Sequence, residues 1–171
     1  MTIEYRVGDA TRPPEGPGSK IIAHVSNDAG GWGRGFVVSL SRRWPEPERA
    51  YREWHKTNES PHKVTGRFAL GESQLVSVEG SRQIQGTETS GAIAVLNMIA
   101  QAGFGPSDEP RIRYPALALC LRHLDRFASD RGASVHMPRI GCGLAGGDWG
   151  RVAALVTRLV SAPVFVYDLP A

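Results

Sequence analysis

The residues best placed to do chemistry are glycines. Gly30, Gly31, Gly33 and Gly35 crowd the stretch "NDAGGWGRG", and Gly141, Gly143, Gly146 and Gly147 crowd "RIGCGLAGGDW". Each cluster lies where an apolar run gives way to a helical pattern. Glycine reaches positive φ without strain and lets a ligand come close to the main chain. Successive backbone N–H groups then form a concavity for an anion, and the helix that follows adds the positive end of its dipole. Either cluster alone reads equally well as a tight turn. Two in the same topological place favour a ligand, and side by side they would clasp a diphosphate.

"GCGLAG", Gly141 to Gly146, matches the G-x-G-x-x-G dinucleotide fingerprint, and Asp168 follows at roughly the spacing of its acidic partner. That match is expected to be false. The fingerprint opens its sheet, and here only three residues follow Asp168. No G-K-[ST] closes either cluster, so a P-loop is excluded. Cys142 has no cation assigned beside it, which favours a packed thiol over a nucleophile. Cys120 falls on an apolar helix face, and the two cysteines make neither a disulfide framework nor a metal-ligand spacing. His24 and His136, in buried strands, read as hydrogen-bonded core histidines. Trp44 and Trp54 fit amphipathic packing, whereas Trp32, inside the first glycine cluster, could cover a bound ribose. His55 and His62 are read as standing in a polar loop, with no third ligand to suggest a metal.

The elements that must position these residues alternate between strand and helix. "IEYRVGDA" alternates and reads as an edge strand; "KIIAHVSN" and "AIAVLNMIAQ" are continuous apolar runs that suit buried strands. "FVVSLSRRW" starts a helix, Pro45 and Pro47 interrupt it, and "EPERAYREWHKT" resumes it. "KVTGRFALGESQLVSVE" reads as a strand pair turning at Gly71. "GSRQIQGTETSG" reads as an exposed loop. Leu117, Cys120, Leu121, Leu124 and Phe127 recur at helical spacing, with Gly132 as C-cap. "SVHMPRIGC" is a strand, a helix runs from Asp148 to about Ser161 with Asp148 as its natural N-cap, and "PVFVYDL" is the last strand. The pattern predicts an α/β domain whose mixed sheet is covered on both faces, with ligands at the carboxyl ends of its strands.

Composition narrows the class without naming a partner. The 171 residues suit one domain, residues 1–171. No apolar run approaches the ~20 residues of a membrane span. "MTIEYRVGDA" lacks the layout of a signal peptide, so a cytoplasmic setting is expected. The net charge of +3 permits an anionic ligand without arguing for one. Seventeen of the twenty basic residues are arginine, which suits phosphate recognition but equally a GC-rich genome.

Five stretches, "GDA", "KIIAHVSNDAGGWGRGFVVSL", "VLNMIAQ", "MPRIGCGLAGGDW" and "VFVYDL", together resemble a macrodomain. The resemblance is to the bacterial and vertebrate branch that includes the terminal ADP-ribose protein glycohydrolase and the ALC-like macrodomains. It implies a three-layer α/β/α sandwich with a mixed central sheet, and ADP-ribose as ligand and product, with no cofactor and no metal. It implies that Asp9, with Ala10, accepts the adenine amino group, and that Ser26 with Gly31, Gly33, Arg34 and Gly35 flanks the distal ribose. Ile140, Gly141, Cys142, Gly143, Leu144 and Ala145 would wrap the pyrophosphate. Tyr167 and Leu169 would border the adenine pocket, although Tyr167 reads equally as core. Relatives divide into hydrolases, which free ADP-ribose from glutamate or aspartate esters or from thymidine in DNA, and readers without turnover. The lysine and aspartate used by the vertebrate glycohydrolase correspond here to Gln101 and Ala145. Ser26, Asn27, Asp28 and Gln101 are therefore the catalytic candidates, acting on a positioned, substrate-assisted water. The expected function is a mono-ADP-ribosyl hydrolase acting on ADP-ribosylated protein or DNA, with a reader module as the alternative; no membrane and no obligate protein partner are expected.

Overall fold

The computed structural model describes residues 2–79 and 91–171. Eleven elements run in the order β1 (Ile3–Val7), β2 (Lys20–Asn27), α1 (Phe36–Arg43), α2 (Glu46–Thr57), β3 (Lys63–Val64), β4 (Ser73–Glu79), β5 (Ile93–Gln101), α3 (Tyr114–Arg131), β6 (Ser134–Met137), α4 (Trp149–Leu159) and β7 (Val164–Asp168). The strands form one seven-stranded sheet in the order β1-β7-β6-β2-β5-β4-β3. The pairs from β1 to β5 are parallel, and β4 and β3 add antiparallel pairs at the far edge. The sheet is mixed, as the pattern predicts, and β1 is an edge strand.

Alternation along the central strands sorts their side chains into two cores. Ile21 and Ala23 of β2, with Leu96 and Met98 of β5, pack against Leu117, Leu121 and Leu124 of α3 and Val152 and Val156 of α4. Ile22, Val95 and Ile99 face the other way, against Leu40 of α1 and Tyr51 and Trp54 of α2. The result is three layers with α1 and α2 on one face and α3 and α4 on the other.

Local chemistry sets the helix ends. Glu46 and Glu48 lie in the first turn of α2, where the dipole favours acids, and Pro47 suits that turn. Asn58 and Gly132 close α2 and α3 in left-handed geometry, with φ of 58° and 57°. The pair of strands expected around Gly71 forms, although β3 is only two residues long, and Gly71 stands in a turn as expected: Glu72 N closes onto Ala69 O at 3.1 Å, Gly71 takes a φ of 92°, and its own amide donates to Ile99 O of β5 at 2.8 Å. "GSRQIQGTETSG" lies outside the described residues except for Gly91. Among the described residues, no helix is long and apolar enough to cross a membrane.

Candidate functional site

β2 and β6 are neighbours in the sheet, and the chain leaves them toward opposite faces, to α1 and to α4. Such a reversal opens a crevice at the carboxyl ends of the strands. Both glycine clusters lie there. A Cβ built on Gly35 would lie 3.6 Å from Leu144 Cδ1, so the loops face each other. Among the described residues, the amides of Gly33, Arg34, Gly143 and Leu144 donate to no protein acceptor. Gly35 caps α1 with φ 78° and offers no side-chain cap. The crevice therefore combines unused main-chain donors with the positive end of a helix, which is the electrostatics of an anion site.

The second loop is shaped by contacts that exclude side chains. A Cβ on Gly147 would lie 2.5 Å from Gly141 O, and one on Gly141 would lie 2.7 Å from Ile112 Cδ1. Gly147 N closes the loop onto Gly141 O at 2.8 Å. Asp148 is the N-cap of α4, its Oδ1 accepting Arg151 N at 3.0 Å, so its carboxylate is used structurally. Ile140 is buried, Ala145 is buried, and Leu144 stands 66% exposed at the mouth. Cys142 donates its thiol to Ile140 O at 3.3 Å, and burial pushes its pKa up, which keeps it a packed thiol.

The first loop is built around Asn27. Its Oδ1 accepts Ala29 N and Gly31 N, both at 3.0 Å, and its Nδ2 donates to Gly31 O at 2.8 Å. Tyr51 of α2 brings its hydroxyl to Asn27 O and Oδ1. Ser26 beside it is 4% exposed, and its Oγ has no partner among the described residues. Asp28 and Gln101 converge on one residue: Gly103 N donates to Asp28 Oδ1 at 2.8 Å, and Gln101 Nε2 donates to Gly103 O at 2.9 Å. Of the four catalytic candidates, three spend their side chains on loop geometry and Ser26 alone carries an unpartnered buried hydroxyl.

At the other end of the crevice, Asp9 Oδ1 accepts both Thr11 N and Thr11 Oγ1 at 2.8 Å. Its Oδ2 takes no bond from a described residue. Ala10 is buried behind it. The Tyr167 hydroxyl pairs with His136 Nδ1 at 2.8 Å and its ring is buried, so Tyr167 is a core residue, while Leu169 is 76% exposed. Asp168 binds Arg139 at 2.7 and 2.9 Å, and that guanidinium holds the carboxyl below its usual range. The apparent dinucleotide acid is thus spent on an ion pair.

Two expectations are corrected. Trp32 does not cover the crevice: it is 7% exposed and packs inward on His24 and Tyr51, with Nε1 donating to Ser41 Oγ at 2.8 Å. Its apolar area is worth more against α2 than over a polar pocket. His55 does not stand in a loop but on α2, where its ring meets Phe68 at 4.9 Å and fills the space beside Gly30. His24 pairs with Asn97 Oδ1 at 2.5 Å, and burial lowers His24 and His136 alike to a pKa of about 4. No group of three or more metal-ligating side chains exists among the described residues.

The segment from Ala102 to Arg113, "AGFGPSDEPRIR", reads as a loop from sequence and is one, but its part in the site is not legible there. Arg111 N and Ile112 N both donate to Ala145 O, at 2.9 and 3.1 Å, while Phe104 leans on Gly31. One loop therefore braces both glycine clusters. Its composition carries no local signal of this, because its partners are distant in sequence.

No family model matches the chain. Among solved structures it is similar to a protein of unknown function from Bacteroides thetaiotaomicron, 43% identical with a TM-score of 0.84 and 99% of both chains covered. It is similar also to a macrodomain protein of Streptomyces coelicolor, 44% identical with a TM-score of 0.77, over 98% of this chain and 99% of that one. Thermosipho africanus DarTG in complex with ADP-ribose shares the fold alone, at 19% identity and a TM-score of 0.61, over 88% of this chain and 38% of that one. Among curated proteins, the ADP-ribose 1″-phosphate phosphatase of Lodderomyces elongisporus is 26% identical over 174 residues, with 98% of each chain covered. The mouse chromodomain-helicase-DNA-binding protein 1-like is 27% identical over 173 residues, and the chain spans 18% of its length. With two glycine loops facing each other where the sheet reverses, the end-to-end match to the Streptomyces protein shows that this chain belongs to the macrodomain family.

Proposed function

We propose that this protein binds ADP-ribose between its two glycine loops and, as a hydrolase, frees it from glutamate or aspartate esters on protein or from thymidine in DNA. The observation that carries the reading is the facing pair of loops, with the unused amides of Gly33, Arg34, Gly143 and Leu144. Those amides and the start of α1 suit a pyrophosphate. The adenine amino group would donate to Asp9 Oδ2, since Thr11 already occupies Oδ1. The distal ribose would lie between Ser26 and Gly31 to Gly35. Relatives whose names carry ADP-ribose support the ligand.

The chemistry needs little from side chains. In an ester, a water oxygen bonds to C1″ as the C1″–O bond breaks, and the electron pair departs with the carboxylate. The water's proton passes to a phosphate oxygen of the ligand and then to solvent. Positioning supplies much of the barrier reduction once the water is held in line. We assign Ser26 Oγ, buried and unpartnered among the described residues, to hold it. The loop donors steady the diphosphate throughout. A reader without turnover is the second reading, favoured by the engagement of Asn27, Asp28 and Gln101 with main-chain partners.

Incubation with glutamate-ADP-ribosylated protein and with a thymidine-ADP-ribosylated oligonucleotide tests the reading. Release of free ADP-ribose from either supports the hydrolase. Calorimetric binding of ADP-ribose without release leaves the reader, and no binding by the folded protein removes both.

A further inference from the structure

We infer that Phe104 is a specificity-determining residue, a stacking platform for a planar heterocycle joined to C1″ of the distal ribose. The inference rests on the reading that the distal ribose lies beside Gly31. Phe104 is 58% exposed, whereas Trp32, Trp44, Tyr51 and Trp54 are all buried. A Cβ on Gly31 would lie 2.6 Å from the Phe104 ring, so the ring borders the first glycine loop at its Asn27 end. More than half of the residue's surface is left open to a ligand at that place.

The main chain that carries the ring is also tied down. Asp28 and Gln101 fix Gly103, the residue before it, from both sides. The Arg111 guanidinium donates to Ala102 O at 3.0 Å, Gly105 O at 2.9 Å and Pro106 O at 3.1 Å, tying the loop on both sides of Phe104. A platform already ordered loses little entropy when a ligand stacks on it. A glutamyl ester presents flexible methylenes at this position and no face to stack. A nucleobase bonded to C1″ presents one, and base–aromatic stacking rewards any planar ring.

Displacement of a fluorescent ADP-ribose analogue, read in the cold before turnover, tests this. The wild-type protein should bind ADP-ribosylated thymidine tighter than ADP-ribose itself by about 5- to 100-fold, the range expected for one stacked base. Phe104→Ala and Phe104→Leu should erase that gap, any loss they cause falling equally on both ligands, and Phe104→Tyr should keep it. No gap in the wild type, or a gap that survives both substitutions, overturns the role of Phe104. Failure of the folded wild type to bind ADP-ribose at all would instead sink the reading of the site on which this role depends.

Discussion

Tyr51 and Asn27 are joined twice: the phenolic oxygen lies 2.7 Å from the main-chain oxygen of Asn27 and 2.9 Å from its Oδ1. Tyr51 is fully buried, and that burial pushes its pKa up, so it remains a donor at any working pH. Asn27 passes the constraint on to Ala29 and Gly31. Tyr51→Phe should therefore cost about 1–2 kcal/mol of stability and weaken ADP-ribose binding severalfold, although Tyr51 is itself buried beneath the loop. Thermal melting and calorimetry read the two effects. A lowered Tm with full affinity would show that the hydroxyl supports the core without shaping the loop.

Gly33 is the position where a side chain fills the crevice without disturbing the fold. Nothing lies within 4 Å of a Cβ built there, and its φ is not in the left-handed region. Gly33→Glu should place a carboxylate beside the amides proposed to hold the pyrophosphate. Binding of ADP-ribose should fall below detection while the Tm moves by no more than a few degrees, since surface substitutions of this kind usually stay within about 0.5 kcal/mol. Retained binding would move the ligand elsewhere.

Gly143 and Gly147 separate binding from folding inside one loop. A Cβ on Gly147 meets Gly141 O at 2.5 Å, a main-chain atom that cannot swing aside, while one on Gly143 meets nothing within 4 Å. Gly147→Ala should destabilise the protein by about 1–3 kcal/mol, as overpacking does. Gly143→Ala should leave the Tm nearly unchanged. Denaturation curves for the pair measure the contrast, and equal stabilities would contradict the loop geometry described for them.

Periodicity carried most of the fold. β2 and β5 are continuous apolar runs because both faces are covered, and Asp148 is legible as an N-cap because an acid between a glycine turn and a helical pattern has that use. The glycine loops were legible for a similar local reason, since glycine alone reaches such backbone conformations and close approaches without strain. Trp32 was misread because its neighbours in sequence are glycines, while its neighbours in space are His24 and Tyr51. The work of Asp28 and Gln101 was hidden for the same cause: they meet at Gly103, and the register that joins β2 to β5 exists only in the folded sheet. Sequence named the polar residues near the crevice, and only the structure showed which of them is unpartnered.

Acid should weaken this protein through its buried histidines. Burial lowers His24 and His136 to about 4, against 6.5 for an ordinary histidine. His62 and His123 are lowered in the same direction, also by burial. Between those values the unfolded chain binds protons that the folded chain refuses. The stabilisation is therefore complete above about pH 6.5 and is lost as pH falls through the window toward 4. Each fully responding histidine contributes at most about 1.4 kcal/mol per pH unit there. Melting curves from pH 7.5 to 4.5 should show a Tm that is level at first and then declines steadily from near pH 6.5. A Tm that stays level down to pH 5 would mean that the two rings accept protons while folded, and would contradict the buried pairing of His24 with Asn97 and of His136 with Tyr167.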